Sequence, residues 1–295
     1  MIVAIYGNTI EKAHFDDILH LIKVFEGYNA KLSIYAPFYE FLCSYLGFKP
    51  KVESTFRYPN DIKCKASLML CIGGDGTLLD SISFVQDSGI PIAGINFGRL
   101  GFLARIPISS IKTAVDQLLS GRFTTEKRTV IKSTLEGNPL SEFPYALNDL
   151  TIQKRGTSMI NINAFIDEEF VCNYWSDGII ISTPTGSTAY SLSVGGPIVS
   201  PNSETFIISP IAPHNLTIRP LVFPEKSKLR LEVNTRGNQI LFSLDSRSVV
   251  IPSPTMLTVE KANFCINVVC LEGETYYTTL RNKLMWGIDS RSINT

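Results

Sequence analysis

The chain has 295 residues, 44% of them hydrophobic, and its 27 Lys plus Arg are matched by 27 Asp plus Glu. That length suits one large domain or two ordinary ones with a substantial core, and the zero net charge excludes recruitment of nucleic acid or an acidic membrane by bulk electrostatics. No apolar run reaches the ~18 residues of a membrane span, and MIVAIYGN starts as a strand without a basic leader, so neither a span nor a signal peptide is expected. The six cysteines (Cys43, Cys64, Cys71, Cys172, Cys265, Cys270) form no CxxC pair, and the three histidines (His14, His20, His214) are scattered. These read as reduced core thiols of a cytoplasmic protein, with neither a disulfide frame nor a zinc site.

In chain order, IVAIYG predicts a buried strand, and residues 10 to 27 an amphipathic helix with Phe15, Ile18, Leu19, Ile22 and Val24 among its apolar positions. KLSIYAP predicts a second strand, residues 38 to 47 a helix, and ASLMLCI a third strand that runs into GGDG. Thr77 to Val85 predicts a helix, PIAGIN a fourth strand, and residues 108 to 120 a helix closed by Gly121. Strand–helix alternation over residues 1–125 implies an α/β domain with a parallel, Rossmann-like sheet. From residue 126 to 272 the pattern changes to short strands: RTVIKSTLEG, PYALNDLTIQ, MININAFIDEEFVCNYW, DGIIIST, LRLEVN, QILFSLD, MLTVEK and INVVCLE. This half reads as an all-β domain. YYTTLRNKLMWG, within residues 273–295, predicts a terminal helix expected to pack back on the first domain.

The informative stretch is CIGGDGTLLD, residues 71 to 80. There is no Gly-Lys pair for a Walker loop, and Leu79 stands where the dinucleotide fingerprint needs its third glycine. Gly73, Gly74 and Gly76 leave the backbone open to phosphates, and Thr77 is placed to cap a helix whose N-terminus favours anions. Three employments fit Asp75: holding Mg²⁺ on phosphates, taking a proton from an attacking hydroxyl, or bonding its own backbone in a turn. Its place after a buried strand puts it at the carboxyl edge of a parallel sheet, where ligands bind.

GGDGT resembles the signature of NAD kinases, shared more loosely with diacylglycerol, sphingosine and 6-phosphofructokinases. GINFGRLGFLA (94 to 104), LND (147 to 149), SDGIIISTPTGSTAYSLSVGGPIVSP (176 to 201) and HNLTIRPLVFP (214 to 224) resemble the further blocks of NAD kinases, in that family's order. The resemblance covers residues 70 to 250 and implies transfer of a phosphoryl group from ATP, or another donor such as polyphosphate, to the 2′-hydroxyl of the adenosine ribose of NAD. A lipid or sugar kinase built on the same loop is the alternative. The resemblance further implies a divalent metal, Mg²⁺, and a homo-oligomer, and leaves the metal's ligands unassigned.

It makes Asp75 the base, with Gly73, Gly74, Gly76 and Thr77 at the donor phosphates and Asp75 and Gly76 also at NAD. Asn148 and Asp149 match the pair used on the nucleotide, with Asp where Glu is usual; Asn and Asp also suit a turn. Asp177 falls at the nicotinamide end, where a carboxylate can accept from the carboxamide. Trp175, at a variable position of the family, can stack on a ring or pack as core. Thr188, Ala189, Tyr190, Ser191, Leu192 and Ser193 fall at the NAD site, with Tyr190 able to stack on adenine. Arg247 replaces a Gln of the family and reads as a solvated loop residue, and Arg155 is a candidate for the new 2′-phosphate.

Overall fold

The computed structural model describes residues 1–45, 47–98, 101–137 and 139–285. The chain divides into two units, Met1–Lys127 with Ile266–Thr295, and Arg128–Cys265.

The first unit runs β1 (Ile2–Gly7), α1 (Phe15–Gly27), β2 (Lys31–Tyr35), α2 (Ala36–Tyr45), β3 (Ser54–Phe56), α3 (Pro59–Ile62), β4 (Leu68–Ile72), α4 (Asp75–Val85), β5 (Ile92–Asn96), β6 (Ile106–Pro107) and α5 (Ile111–Ser120). All five residues of β4 and of β5 are buried, which is why both read as continuous apolar runs. α1 buries Ile18, Leu21, Ile22 and Phe25, a stripe at helical spacing. It starts after a single 3₁₀ turn, Lys12–His14, so the helix is shorter than residues 10 to 27. Gly121 ends α5 in the left-handed conformation, φ 73°, its N–H on the Gln117 carbonyl.

The strands lie in the order β3-β2-β1-β4-β5, every neighbouring pair parallel. The chain winds outward from β1 to β3, then returns to β1's other side with β4. The carboxyl ends of β1 and β4 therefore flank a topological switch point. β3 and α3 fall in a stretch with no predicted element, because three and four residues show no period. α3 is made locally: Pro59 opens it, and Asp61 accepts the N–H groups of Arg57 and Tyr58, both at 2.9 Å.

The second unit continues β7 (Phe123–Leu135) and adds β8 (Tyr145–Ala146), β9 (Asp149–Lys154), β10 (Ile160–Ile166), β11 (Glu169–Ser176), β12 (Gly178–Ser182), α6 (Tyr190–Ser193), β13 (Thr205–Ile211), β14 (Leu221–Pro224), β15 (Leu229–Thr235), β16 (Gln239–Leu244), β17 (Arg247–Pro252) and β18 (Thr255–Leu271). One antiparallel sheet has the order β14-β13-β12-β9-β16-β17, and β11-β10-β15-β18 form another antiparallel row. Ile152, Ile181, Phe206 and Phe242 of the first share one core with Ile162, Tyr174, Leu231 and Leu257 of the second. The unit is a β-sandwich.

MLTVEK and INVVCLE are one strand, β18, not two. Polar Lys261 between them stays in the strand because it pairs with Glu225, which is only 2% exposed. β18 starts in the second unit, with Leu257 opposite Leu231, and ends in the first, with Val268 parallel to Ile92. The helix predicted from YYTTLRNKLMWG is α7 (Tyr276–Leu284). Thr275 caps it through a bond from the Thr278 N–H at 3.1 Å, and left-handed Met285, φ 53°, ends it. Trp286, Gly287 and the rest of the predicted C-terminal segment lie outside the described residues, as do Arg99 and Leu100 of GINFGRLGFLA. No described helix is long and apolar enough to cross a membrane.

Candidate active site

The glycine loop follows β4 at the switch point. α4 begins two residues earlier than expected, so Gly74 is the N-cap and Thr77 lies inside the first turn. Thr77 therefore does not cap. Its side chain lies over Gly73, where a Cβ would come within 2.3 Å of the hydroxyl. The first-turn N–H groups of Asp75, Gly76 and Thr77 have no partner within the helix, which makes this end ready for anions.

Asp75 is the first residue of α4. Its carboxylate accepts three backbone N–H groups, from Phe102 at 2.8 Å, Leu103 at 3.0 Å and Ala104 at 2.8 Å. This is not a turn aspartate bonding its own loop; it holds a second loop. Gly101 must be glycine for that approach, since a Cβ there would lie 1.9 Å from Oδ1. The same loop is held from behind by Arg105, 3% exposed, which donates to the Phe102 carbonyl at 2.9 Å, Cys270 Sγ at 3.2 Å and Glu126 at 3.1 Å. Lys283 of α7 brings its ammonium to 3.6 Å from Asp75 Oδ2 and 4.8 Å from the centre of the Phe102 ring. Neither the 101–104 clasp nor Lys283 was anticipated from the sequence. GINFGRLGFLA carried the only signal for the first, and a basic residue in an apolar terminal segment the only signal for the second.

In the second unit, Asn148 and Asp149 lead into β9. Asp245, in the turn between β16 and β17, accepts the N–H groups of Leu147 and Asn148 at 2.8 Å each and of Asp149 at 3.2 Å. The Asn148 carboxamide bonds no other described residue, so donor and acceptor both remain open. Asp149 is 7% exposed and accepts from the Thr151 hydroxyl at 3.1 Å. Burial, with the Asp245 charge alongside, pushes its carboxyl up to about 7 against that hydrogen bond. Asp245 is also raised, because burial outweighs its three N–H donors and nearby Arg247.

TPTGSTAYSLS is not a surface loop. It forms a 3₁₀ turn, Thr185–Thr188, followed by α6. Thr185, Gly186 and Ser187 are buried. Gly186 packs on the Asn148 backbone so closely that a Cβ would sit 2.1 Å from its carbonyl oxygen. Among the described residues the buried Thr185 hydroxyl has no hydrogen-bond partner. Ser191 is fully buried with its hydroxyl on Ser209 at 2.9 Å, so it serves the interior of the unit. Thr188 bonds back to the Thr185 carbonyl at 3.3 Å, while Ala189, Leu192 and Ser193 line the same short segment. Tyr190 is 39% exposed and its hydroxyl accepts from Gln153 at 2.7 Å, which leaves the ring face presented.

Asp177 forms an ion pair with Lys154 at 2.5 Å. Trp175 is 46% exposed and sits 4.3 Å, centre to centre, from the His214 ring. It is therefore not core. Arg155 pairs with Gln239. Arg247, expected in solvent, instead donates to the Phe143 carbonyl at 2.6 Å and to the Tyr145 carbonyl, its guanidinium 4.9 Å from the Phe143 ring.

A doubly wound unit with an aspartate inside its switch-point glycine loop, joined to a β-sandwich that gathers carboxylates, a free amide and hydroxyls, has the features of a GGDGT-class kinase. Family comparisons narrow the class. Residues 39–123 match the ATP-NAD kinase N-terminal domain and residues 147–271 the ATP-NAD kinase C-terminal domain. The NAD kinase of Cytophaga hutchinsonii is 41% identical over 293 residues, spanning 99% of this chain and 100% of its own. That of Flavobacterium johnsoniae is 39% identical over 295 residues, with the same coverage. The chain belongs to the NAD kinase family. Its fold is similar to that of yeast NADH kinase complexed with NADH (TM-score 0.85, 24% identity, 98% of this chain and 88% of that one). It is also similar to an Archaeoglobus fulgidus NAD kinase in complex with ATP (TM-score 0.74, 23% identity, 97% and 99%).

Proposed function

We propose that this protein transfers a phosphoryl group from ATP to the 2′-hydroxyl of the adenosine ribose of NAD, making NADP. Membership of the NAD kinase family over nearly the whole chain supports the reaction. The observation that supports the assignment of residues is the clasped carboxylate of Asp75. Three N–H groups hold it in one orientation, and a carboxylate has about four acceptor positions. One position remains for the sugar hydroxyl, whose proton Asp75 takes as the new P–O bond forms.

Gly76 and Thr77 receive the donor phosphates on the first-turn N–H groups of α4, and Gly73 and Gly74, without side chains, let those phosphates approach the loop. Asn148 reads a base edge with its free amide, and Asp149 accepts from ribose hydroxyls. Tyr190 offers its ring to adenine, with Thr188, Ala189, Leu192 and Ser193 shaping that wall. Asp177 takes the nicotinamide carboxamide, exchanging its pair with Lys154 for that bond, and Trp175 flanks the same end. Ser191 supports this segment from inside.

Among the described residues no group of three or more His, Cys, Asp or Glu is placed to hold a metal ion. Mg²⁺ would be carried on the phosphates of the donor, where it would neutralise charge. The protein acts in the cytoplasm as a homo-oligomer.

The test is NADP formation by Asp75→Asn. A rate lower by about 1,000-fold, with the NAD dissociation constant within about threefold of wild type, is expected. A wild-type rate would remove Asp75 from the role of base.

A further inference from the structure

We propose that Lys283, on the C-terminal helix, is a further catalytic residue: its ammonium binds the phosphoryl group in flight. The inference rests on the reading of Asp75 as the base. Its ground is a placed but unspent cation. The ammonium lies 3.6 Å from Asp75 Oδ2, which pairs the charges but is too long for a hydrogen bond, and 4.8 Å from the Phe102 ring centre. No hydrogen bond from it to another described residue is present. Three donors are therefore held beside the base by charge and by an aromatic face, and not consumed by either.

α7 is built to bring it there. Thr275 caps the start of the helix, Thr279 and Leu280 are buried, and Met285 ends it just past Lys283. The Lys283 side chain is 33% exposed, so its head is open to an incoming ligand. Phe102 is clamped at both backbone ends, by Asp75 on its N–H and by Arg105 on its carbonyl, so the surface beneath the ammonium is rigid.

A hydroxyl bonded to Asp75 stands about 3 Å from the carboxylate, and the phosphorus it attacks stands about 3–3.5 Å beyond that. The transferring group must then pass within a side-chain rotation of a lysine that already touches the carboxylate. As the proton moves to Asp75, the oxygen forms its bond to phosphorus and the bond to the nucleoside diphosphate breaks. Asp75 becomes neutral in that step, which frees the ammonium from its partner while charge is spread over the phosphoryl oxygens. Lysine suits this because it is a flexible point charge with three donors.

The experiment compares Lys283→Met and Lys283→Arg in the full-length enzyme with ATP and NAD. For Lys283→Met the expected result is kcat lower by about 100-fold, with KM and dissociation constant for NAD within about twofold. Its melting temperature stays within about 2 °C of wild type, Lys283→Arg recovers at least about a tenth of the lost rate, and added methylammonium restores Lys283→Met saturably. A helix that was merely pinned in place would show no amine rescue. Lys283→Met with wild-type kcat overturns the proposal, as does a loss that neither arginine nor methylammonium relieves. Wild-type protein that formed no NADP would overturn the reading of function and this one with it, so the two failures are told apart by the wild-type control.

Discussion

The carboxyl of Asp149 illustrates what a single side chain contributes and costs. Its ordinary value of 3.8 holds in the unfolded chain, and about 7 holds in the fold. Between these values the folded protein carries the extra proton, so its stability falls as pH rises through that window and is level outside it. Asp149→Asn removes the buried charge. The substituted protein should therefore gain on wild type by a few kcal/mol, several degrees in melting temperature, on going from about pH 4 to pH 8. Calorimetric melts of both proteins at those two pH values decide it; a gap that does not change with pH would mean that Asp149 ionises normally in the fold. Asn148 and Asp149 stood out in the sequence as a motif. The buried partner Asp245 was not, because the contact joins residues far apart in the chain and the LDSR stretch carries no sign of what it faces.

At the scale of elements, β4, the glycine loop and α4 were readable because an apolar run, glycines and a helical pattern are all local signals. The helix start was misplaced by two residues, since Gly74 caps without a side chain and leaves no mark of its own. The clasp on Asp75 comes from 27 to 29 residues downstream, beyond any local pattern. β13, β14 and β17 went unpredicted, their pairing being decided by neighbours in the sheet. The clasp yields a test in Gly101→Ala. A methyl at 1.9 Å from Oδ1 must push the loop or the carboxylate aside. The expected cost is about 1–3 kcal/mol of stability and about 10- to 100-fold in kcat, read by melting and steady-state kinetics. NAD affinity unchanged with full turnover would show that the clasp is dispensable.

At the scale of the molecule, the change of character near residue 126 was visible as a switch from alternating strand and helix to strands alone. The return of the chain was harder to see. β18 begins in the sandwich and ends beside β5, so the first unit is made of two separated stretches. Composition cannot show this, since β18 looks like any other strand. A variant ending at Leu271 keeps β18 and loses α7 with Lys283. It should bind NAD within about threefold of wild type while losing at least about 100-fold in kcat, measured by calorimetric titration and NADP formation. Full turnover by that variant would mean that α7 takes no part in the reaction.

The two-part first unit also has a temporal consequence. While the ribosome is still making the sandwich, β5 waits for its neighbouring strand, Arg105 for the Cys270 thiol and Asp75 for its lysine. The sandwich, contiguous in the chain, can collapse while translation continues. A nascent chain therefore completes the surroundings of Asp75 only after the whole sandwich has been made, so the signature loop exists for a time without the partners that later flank it.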